Sequence, residues 1–121
     1  MSDNSTSNQV VTFEDAAAKA LAFREVRDWA QFHNPKDLAI SISLESAELL
    51  EAFQWSGTDL EASDKRDYIT EELADVAIYC IYLADAIGID LPKAVSAKID
   101  SNEKKYPVDK SRGKSSKYTE L

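Results

Sequence analysis

A chain of 121 residues and 13.5 kDa has room for one compact core and is too short for two ordinary domains. Its formal net charge of -8 argues against nucleic-acid binding, which draws on Lys and Arg to neutralise phosphates. A lone cysteine, Cys80, a polar start (MSDNSTSNQ) unlike a secretory signal, and the lack of any apolar run near the roughly 20 residues that span a bilayer exclude a disulfide scaffold and a membrane protein, leaving a soluble cytoplasmic one as the expectation.

Only 3 Gly and 3 Pro interrupt a sequence rich in Ala, Leu, Glu and Lys, so the expected class is all-α. Residues 1–11 read as a disordered leader. Thr12 then offers an N-cap with Asp15 at the capping-box position, and a first helix is expected through FEDAAAKALAFREVRDWAQF to about Phe32. Its apolar positions Phe13, Ala17, Ala20, Leu21, Val26 and Trp29 follow helical spacing, which turns Lys19, Arg24 and Glu25 outward. Asn34 and Pro35 suit the start of a second helix, expected to reach about Trp55, and apolar residues surround nearly its whole circumference. Ser63 or Asp64 is a candidate cap for a third helix, equally apolar, that ends near Gly88. Pro92 opens a fourth, PKAVSAKIDSNEKKY, which Pro107 stops. The segment 108–121 is polar and lacks a period, as expected of a basic tail that orders only against something else. Short connections favour antiparallel neighbours, so the expectation is a four-helix, bundle-like domain over 12–107 with helices two and three at its centre.

Charge is unevenly spread. From Asp37 to Asp90, 13 acids face only Lys65 and Arg66, a net of -11, whereas from Lys104 onward six basic residues face two acids, a net of +4. Within the acidic body, LESAELLEAFQW places Glu45, Glu48 and Glu51 inside an apolar helix. Glu45 and Glu48 are three apart and share a helix face; Glu72 and Asp75 repeat that spacing on helix three. If the two helices pack antiparallel, the pairs converge. Any one such pair is commonly a solvated face, but these stand among buried positions, where four clustered carboxylates would repel one another and lose hydration.

No Lys or Arg lies within a helical turn of Glu45 or Glu48, so a divalent cation is the expected compensation. All-oxygen donors suit Mg²⁺, with Mn²⁺ as a substitute, whereas zinc prefers Cys and His. A di-iron site would need Glu-x-x-His pairs, and the sole histidine, His33, follows no such Glu. Mg²⁺ held by carboxylates keeps positions for water and substrate phosphates, which points to metal-assisted hydrolysis at phosphorus.

ESAE, 23 further residues, then ELAD resembles the ExxE…ExxD signature of the all-α nucleoside triphosphate pyrophosphohydrolases of the MazG-like superfamily. The family often shows two adjacent glutamates at the start of this motif; here the first position is Leu44. RDWAQFHNPKDL, EAFQW, EELADVAIYCIYLA, DLPKAV, NEKKYPV and SRGKSSKYTEL extend the resemblance, closest to the dCTP pyrophosphatase branch, over about residues 23–121. It implies Mg²⁺-dependent hydrolysis of a (deoxy)nucleoside triphosphate to the monophosphate and pyrophosphate, with water attacking the α-phosphorus, in a homotetramer built as a dimer of dimers. It also implies that Glu45, Glu48, Glu72 and Asp75 are the metal ligands and catalytic residues, and that Trp29, His33, Trp55, Tyr79 and Asn102 line the base and sugar pocket.

From the residues alone, Trp29 and Trp55 fit plain core as well as a stacking role, and His33 fits a structural place as well as a binding one. Tyr79 lies four residues past Asp75 and seven past Glu72, on one stripe with both. Lys98 and Arg112 are candidate phosphate contacts among otherwise solvated charges. Glu51 could orient a ligand, take a proton from water or reach solvent; a supporting role is favoured. Two rival readings stand beside the enzyme: a non-catalytic, oligomeric regulatory module that binds metal and nucleotide, and a helical interaction protein whose carboxylates are surface residues.

Overall fold

The computed structural model describes residues 9–121, so most of the expected leader lies outside the described residues. The helices, in chain order, are α1 (Phe13–Glu25), α2 (Pro35–Glu51), α3 (Arg66–Ile87), α4 (Leu91–Lys105) and a single turn, α5 (Val108–Ser111), with 3₁₀ turns at Trp29–Phe32, Ser63–Lys65 and Tyr118–Glu120. No strand occurs among the described residues, and the all-α expectation holds. None of these helices is long and apolar enough to cross a membrane.

The starts of α1, α2 and α4 follow signals in the sequence. The Asp15 backbone N–H donates to Thr12 Oγ1 at 3.0 Å and the Thr12 N–H to the Asp15 carboxylate at 3.5 Å, closing the capping box. Asn34 caps α2 through the Asp37 N–H at 2.9 Å, and Asp90 caps α4 through the Lys93 N–H at 3.1 Å. Each such cap contributes about 1 kcal/mol by satisfying a donor that the helix cannot. Gly88 ends α3 in the left-handed region (φ 73°), where a side chain would be strained.

The ends differ more from expectation. α1 stops at Glu25, not Phe32, because Asp28 takes a left-handed conformation (φ 52°), and its carbonyl and carboxylate both accept from the Gln31 amide at 3.0 Å. Asp tolerates that conformation by bonding locally, a choice that hydrophobic spacing does not register. α2 stops at Glu51 and unwinds into turns before Trp55. Neither Ser63 nor Asp64 caps α3: they form a 3₁₀ turn, and Lys65 stands at the N-cap without a side-chain bond. The tail is not wholly irregular, since Tyr118 packs edge-on against Tyr106 (centroids 6.0 Å apart) and the Lys105 ammonium lies 4.9 Å from the Tyr118 ring centre.

The chain divides into two compact units, one running to Gly88 and the other from Ile89 to Leu121. In the first, α2 and α3 form the main packed pair, and α1 packs against α3. The pair is antiparallel: Tyr68, at the start of α3, donates to the Glu48 carbonyl at 2.9 Å, while Asp75, two turns later, meets Glu45. The buried apolar set is small, comprising Leu38, Ala52, Ala62, Ile81, Tyr82 and Ala84. Helices two and three were expected to be wrapped all round. Instead Ile40, Leu44, Leu50 and Leu73 are 47–68% exposed, an uncovered apolar surface beyond what scattered surface residues account for. Arg24, expected to face outward, is buried, because Asp85 accepts from its guanidinium at 2.7 Å and Glu25 at 2.8 Å.

Candidate metal and nucleotide site

Antiparallel packing brings Glu45 on α2 to Glu72 and Asp75 on α3. One carboxylate oxygen from each of Glu45, Glu72 and Asp75 lies within 4.8 Å of the others, and all three residues are half-buried. Glu45 Oε2 and Glu72 Oε2 are buried and find no hydrogen-bond partner among the described residues. Glu48 is exposed and stands outside this group of three, though its charge bears on both Glu45 and Glu72.

Crowding shows in the proton affinities. Burial, the Glu48 hydrogen bond and charge, a hydrogen bond with Glu45 and the charge of Asp75 together push the Glu72 carboxyl up to about 7. Burial also raises the Glu45 carboxyl, with Glu48 and Asp75 adding to the effect and a hydrogen bond from Glu72 partly opposing it. Such crowding favours a shared proton or a bound cation over bare charges. The ion pairs among the described residues are those of Arg24 with Glu25 and Asp85, so no Lys or Arg neutralises the four acids. Hard oxygen donors, two orphaned buried oxygens and the lack of a basic partner fit a metal ion at Glu45, Glu72 and Asp75.

Two tyrosines frame the acids. Tyr79 sits along the stripe as expected; burial and the charges of Glu45, Asp75 and Glu48 raise its hydroxyl, keeping it a neutral donor beside them. Tyr68, missed from the sequence, donates to the Glu48 carbonyl and lies 3.5 Å from the Glu51 carboxylate. Its hydroxyl is likewise raised, by burial and the charges of Glu72, Glu51 and Glu48. Glu51 is thus tied to α3 through Tyr68. A signal was present: Tyr68, Glu72, Asp75, Tyr79 and Tyr82 recur at four- and three-residue steps, so extending the acidic stripe in both directions finds the tyrosines.

The other candidates lie on other elements. Trp29 is 42% exposed, edge-on against Phe23 at 5.6 Å, and Trp55 is 85% exposed, so neither is core within this chain. Trp55 lines a hollow of about 350 Å³ with Ala52, Ser56, Asp59, Asp64 and Lys65. His33 stacks on Tyr82, with ring centres 5.1 Å apart and planes 30° from parallel. Lys98, exposed, and Asn102, half-buried, are on α4, and exposed Arg112 follows α5, all in the second unit.

The same chain has counterparts among known proteins. The MazG-like family model matches residues 40–121, and the chain belongs to that family. It is 42% identical over 115 residues to dCTP pyrophosphatase 1 of Rattus norvegicus, a match covering 91% of this chain and 68% of that protein. With dCTP pyrophosphatase 1 of Homo sapiens it shares 42% identity over 116 residues, at the same coverage. Among solved structures, a pyrophosphatase from Archaeoglobus fulgidus DSM 4304 superposes with a TM-score of 0.71 at 43% identity, covering 78% of this chain and 91% of that one.

Proposed function

We propose that this chain is a Mg²⁺-dependent nucleoside triphosphate pyrophosphohydrolase. It converts a deoxynucleoside triphosphate, with dCTP or a modified dCTP as the expected substrate, and water to the monophosphate and pyrophosphate, and so clears the nucleotide pool. The observation that carries the reading is the acid cluster with no basic partner, in a chain 42% identical to proteins named dCTP pyrophosphatase 1.

Glu45, Glu48, Glu72 and Asp75 would hold the metal, which when bound neutralises phosphate oxygens and makes a water a better nucleophile for the α-phosphorus. Mn²⁺ would suit the same oxygens. The chain's own residues do the rest. Tyr68 fixes α2 against α3 and thereby the spacing of the acid pairs. Tyr79 offers a neutral hydroxyl at the edge of the cluster, where a phosphate or sugar oxygen can accept from it. Trp29, His33 and Trp55 supply exposed or half-buried ring surface for a base and sugar.

The test is incubation of the purified protein with a panel of deoxynucleoside triphosphates and Mg²⁺, with the products identified. Pyrophosphate and monophosphate are expected, with dCTP or its modified forms fastest. Release of orthophosphate, or tight binding without turnover, would reject the reading, the latter in favour of a regulatory module.

The uncovered apolar residues Ile40, Leu44, Leu50 and Leu73 support assembly with further copies, and a cytoplasmic homotetramer is the form proposed. A mass in solution of about four chains, measured by light scattering, is the expected result. A monomer at working concentration would count against it.

A further inference from the structure

Arg24, Tyr82 and His33 form a second group, next to the acid cluster through Tyr79. Arg24 and Tyr82 are only 5% and 4% exposed. Arg24 spans the packing of α1 on α3, since its guanidinium donates to Asp85 on α3 at 2.7 Å and to Glu25 at 2.8 and 3.2 Å. Those bonds leave the guanidinium carbon 5.3 Å from the centre of the Tyr82 ring. Tyr82 cannot swing away freely, because its hydroxyl donates to the Ala20 carbonyl at 3.0 Å. His33, on the loop that leads into α2, stacks on that ring.

A histidine is usually oriented by a hydrogen bond from one ring nitrogen. Here Nδ1 is buried and has no partner among the described residues, so the stack on Tyr82 takes over that task. An N–H at Nδ1 would be a buried donor without an acceptor, which costs more than a bare ring nitrogen. Protonating the ring would both create that N–H and add a positive charge near buried Arg24. Burial and the Arg24 charge each hold His33 below its ordinary value. The charged and titratable groups around Tyr82 and His33 are Arg24 with its partners Glu25 and Asp85, Arg27, whose guanidinium also bears on Tyr82, and Tyr79, whose ring stands edge-on to Tyr82 with centroids 6.1 Å apart.

We propose that Arg24 and Tyr82 are positioning residues that hold His33 in one pose, as the neutral tautomer with its proton on Nε2, so that it presents a single N–H donor to an oxygen of the nucleotide's base or sugar. The proposal rests on the reading above that His33 lines the nucleotide pocket. A neutral donor suits a carbonyl or hydroxyl oxygen, leaving the phosphates to the metal and the cationic side chains.

His33 is the sole histidine, so its ring nitrogens give an unambiguous NMR titration in the full chain. The wild-type protein is expected to show the Nε2–H tautomer and a midpoint below 6.5. The pair Arg24→Met with Asp85→Asn, which removes both charges together, is expected to raise the midpoint by about half a unit or more. Arg24→Lys alone, which keeps a positive charge, should leave the midpoint near wild type. Tyr82→Leu removes the stacking surface and is expected to raise KM about tenfold with kcat within about twofold, as for a donor lost from binding. Tyr82→Phe keeps the ring and should lie between wild type and Tyr82→Leu.

His33→Ala separates the two layers of inference. If it leaves KM unchanged, the pocket reading fails, while the titration still tests the positioning. If it raises KM and the Arg24 and Tyr82 variants shift neither midpoint, tautomer nor KM, the positioning is overturned. Where the double variant does not fold, a wild-type tautomer protonated at Nδ1 overturns the proposal by itself.

Discussion

Asp75→Asn and Glu72→Gln are each expected to lower kcat/KM for the triphosphate by about 10²-fold to 10³-fold or more, while the metal-free proteins melt at or above the wild-type temperature. The first effect follows from removing a charged oxygen aimed at the place where positive charge must sit, and losing one preorganised electrostatic group in a catalytic site has effects of that order. The second follows from the same crowding seen from the other side. Glu45, Glu72 and Asp75 meet within 4.8 Å without a basic partner, and two of their oxygens are buried and unbonded. An amide in place of one carboxylate removes repulsion and adds two donors for the oxygens that remain. Activity and stability should therefore move in opposite directions, as expected of a site whose geometry is kept for function. Steady-state kinetics with Mg²⁺ and thermal melts in chelator test this together. Full activity in either variant would remove that residue from the ligand set, and a melting temperature several degrees lower would show the cluster to be structural.

Protons and metal should compete openly at this cluster. Glu72 titrates near 7 in the folded, metal-free protein against an ordinary value of 4.5, and Glu45 is raised in the same sense. Between those two pH values the folded state holds more protons than the unfolded one, so the stability of the metal-free protein falls as pH rises from 4.5 to about 7 and levels off above. Metal binding requires the carboxylates ionised, so the apparent Mg²⁺ affinity is expected to fall about tenfold per pH unit below that midpoint, with about one proton released on binding near pH 6. Titration calorimetry in two buffers of different ionisation enthalpy counts that proton. Melting curves with Mg²⁺ and with chelator should diverge increasingly as pH rises through 7. If no proton is released, the carboxylates do not share one in the metal-free state and the electrostatic account fails.

The candidate site was legible in the sequence to an unusual degree because it is built from helical periodicity. Glu45 with Glu48 and Glu72 with Asp75 share helix faces whatever the rest of the chain does, and antiparallel packing of neighbouring helices then suffices to bring them together. Tyr79 follows from the same stripe. Caps at Thr12 and Asn34 and the stop at Gly88 were equally local, since each is decided by a side chain or a backbone angle within four residues. The places where helices end early were not, because Asp28 and the turns after Glu51 answer to local hydrogen bonds that leave the hydrophobic pattern intact.

Arg24 marks the boundary between the two kinds of information. Its position on α1 looks solvated by spacing alone, and only the meeting of α1 with α3 supplies the Asp85 carboxylate and the Tyr82 ring that make its burial favourable. The exposed positions of α2 and α3 make the same point: their apolar composition predicts burial, and among the described residues Ile40, Leu44, Leu50 and Leu73 stay exposed. By itself the sequence determined the presence of the helices, the caps at Thr12 and Asn34 and the acidic stripe, because these depend on neighbours within about one helical turn. Tertiary structure decided which charges are buried, how closely the carboxylates crowd and how His33 is held, because desolvation and charge coupling depend on groups far apart in the chain.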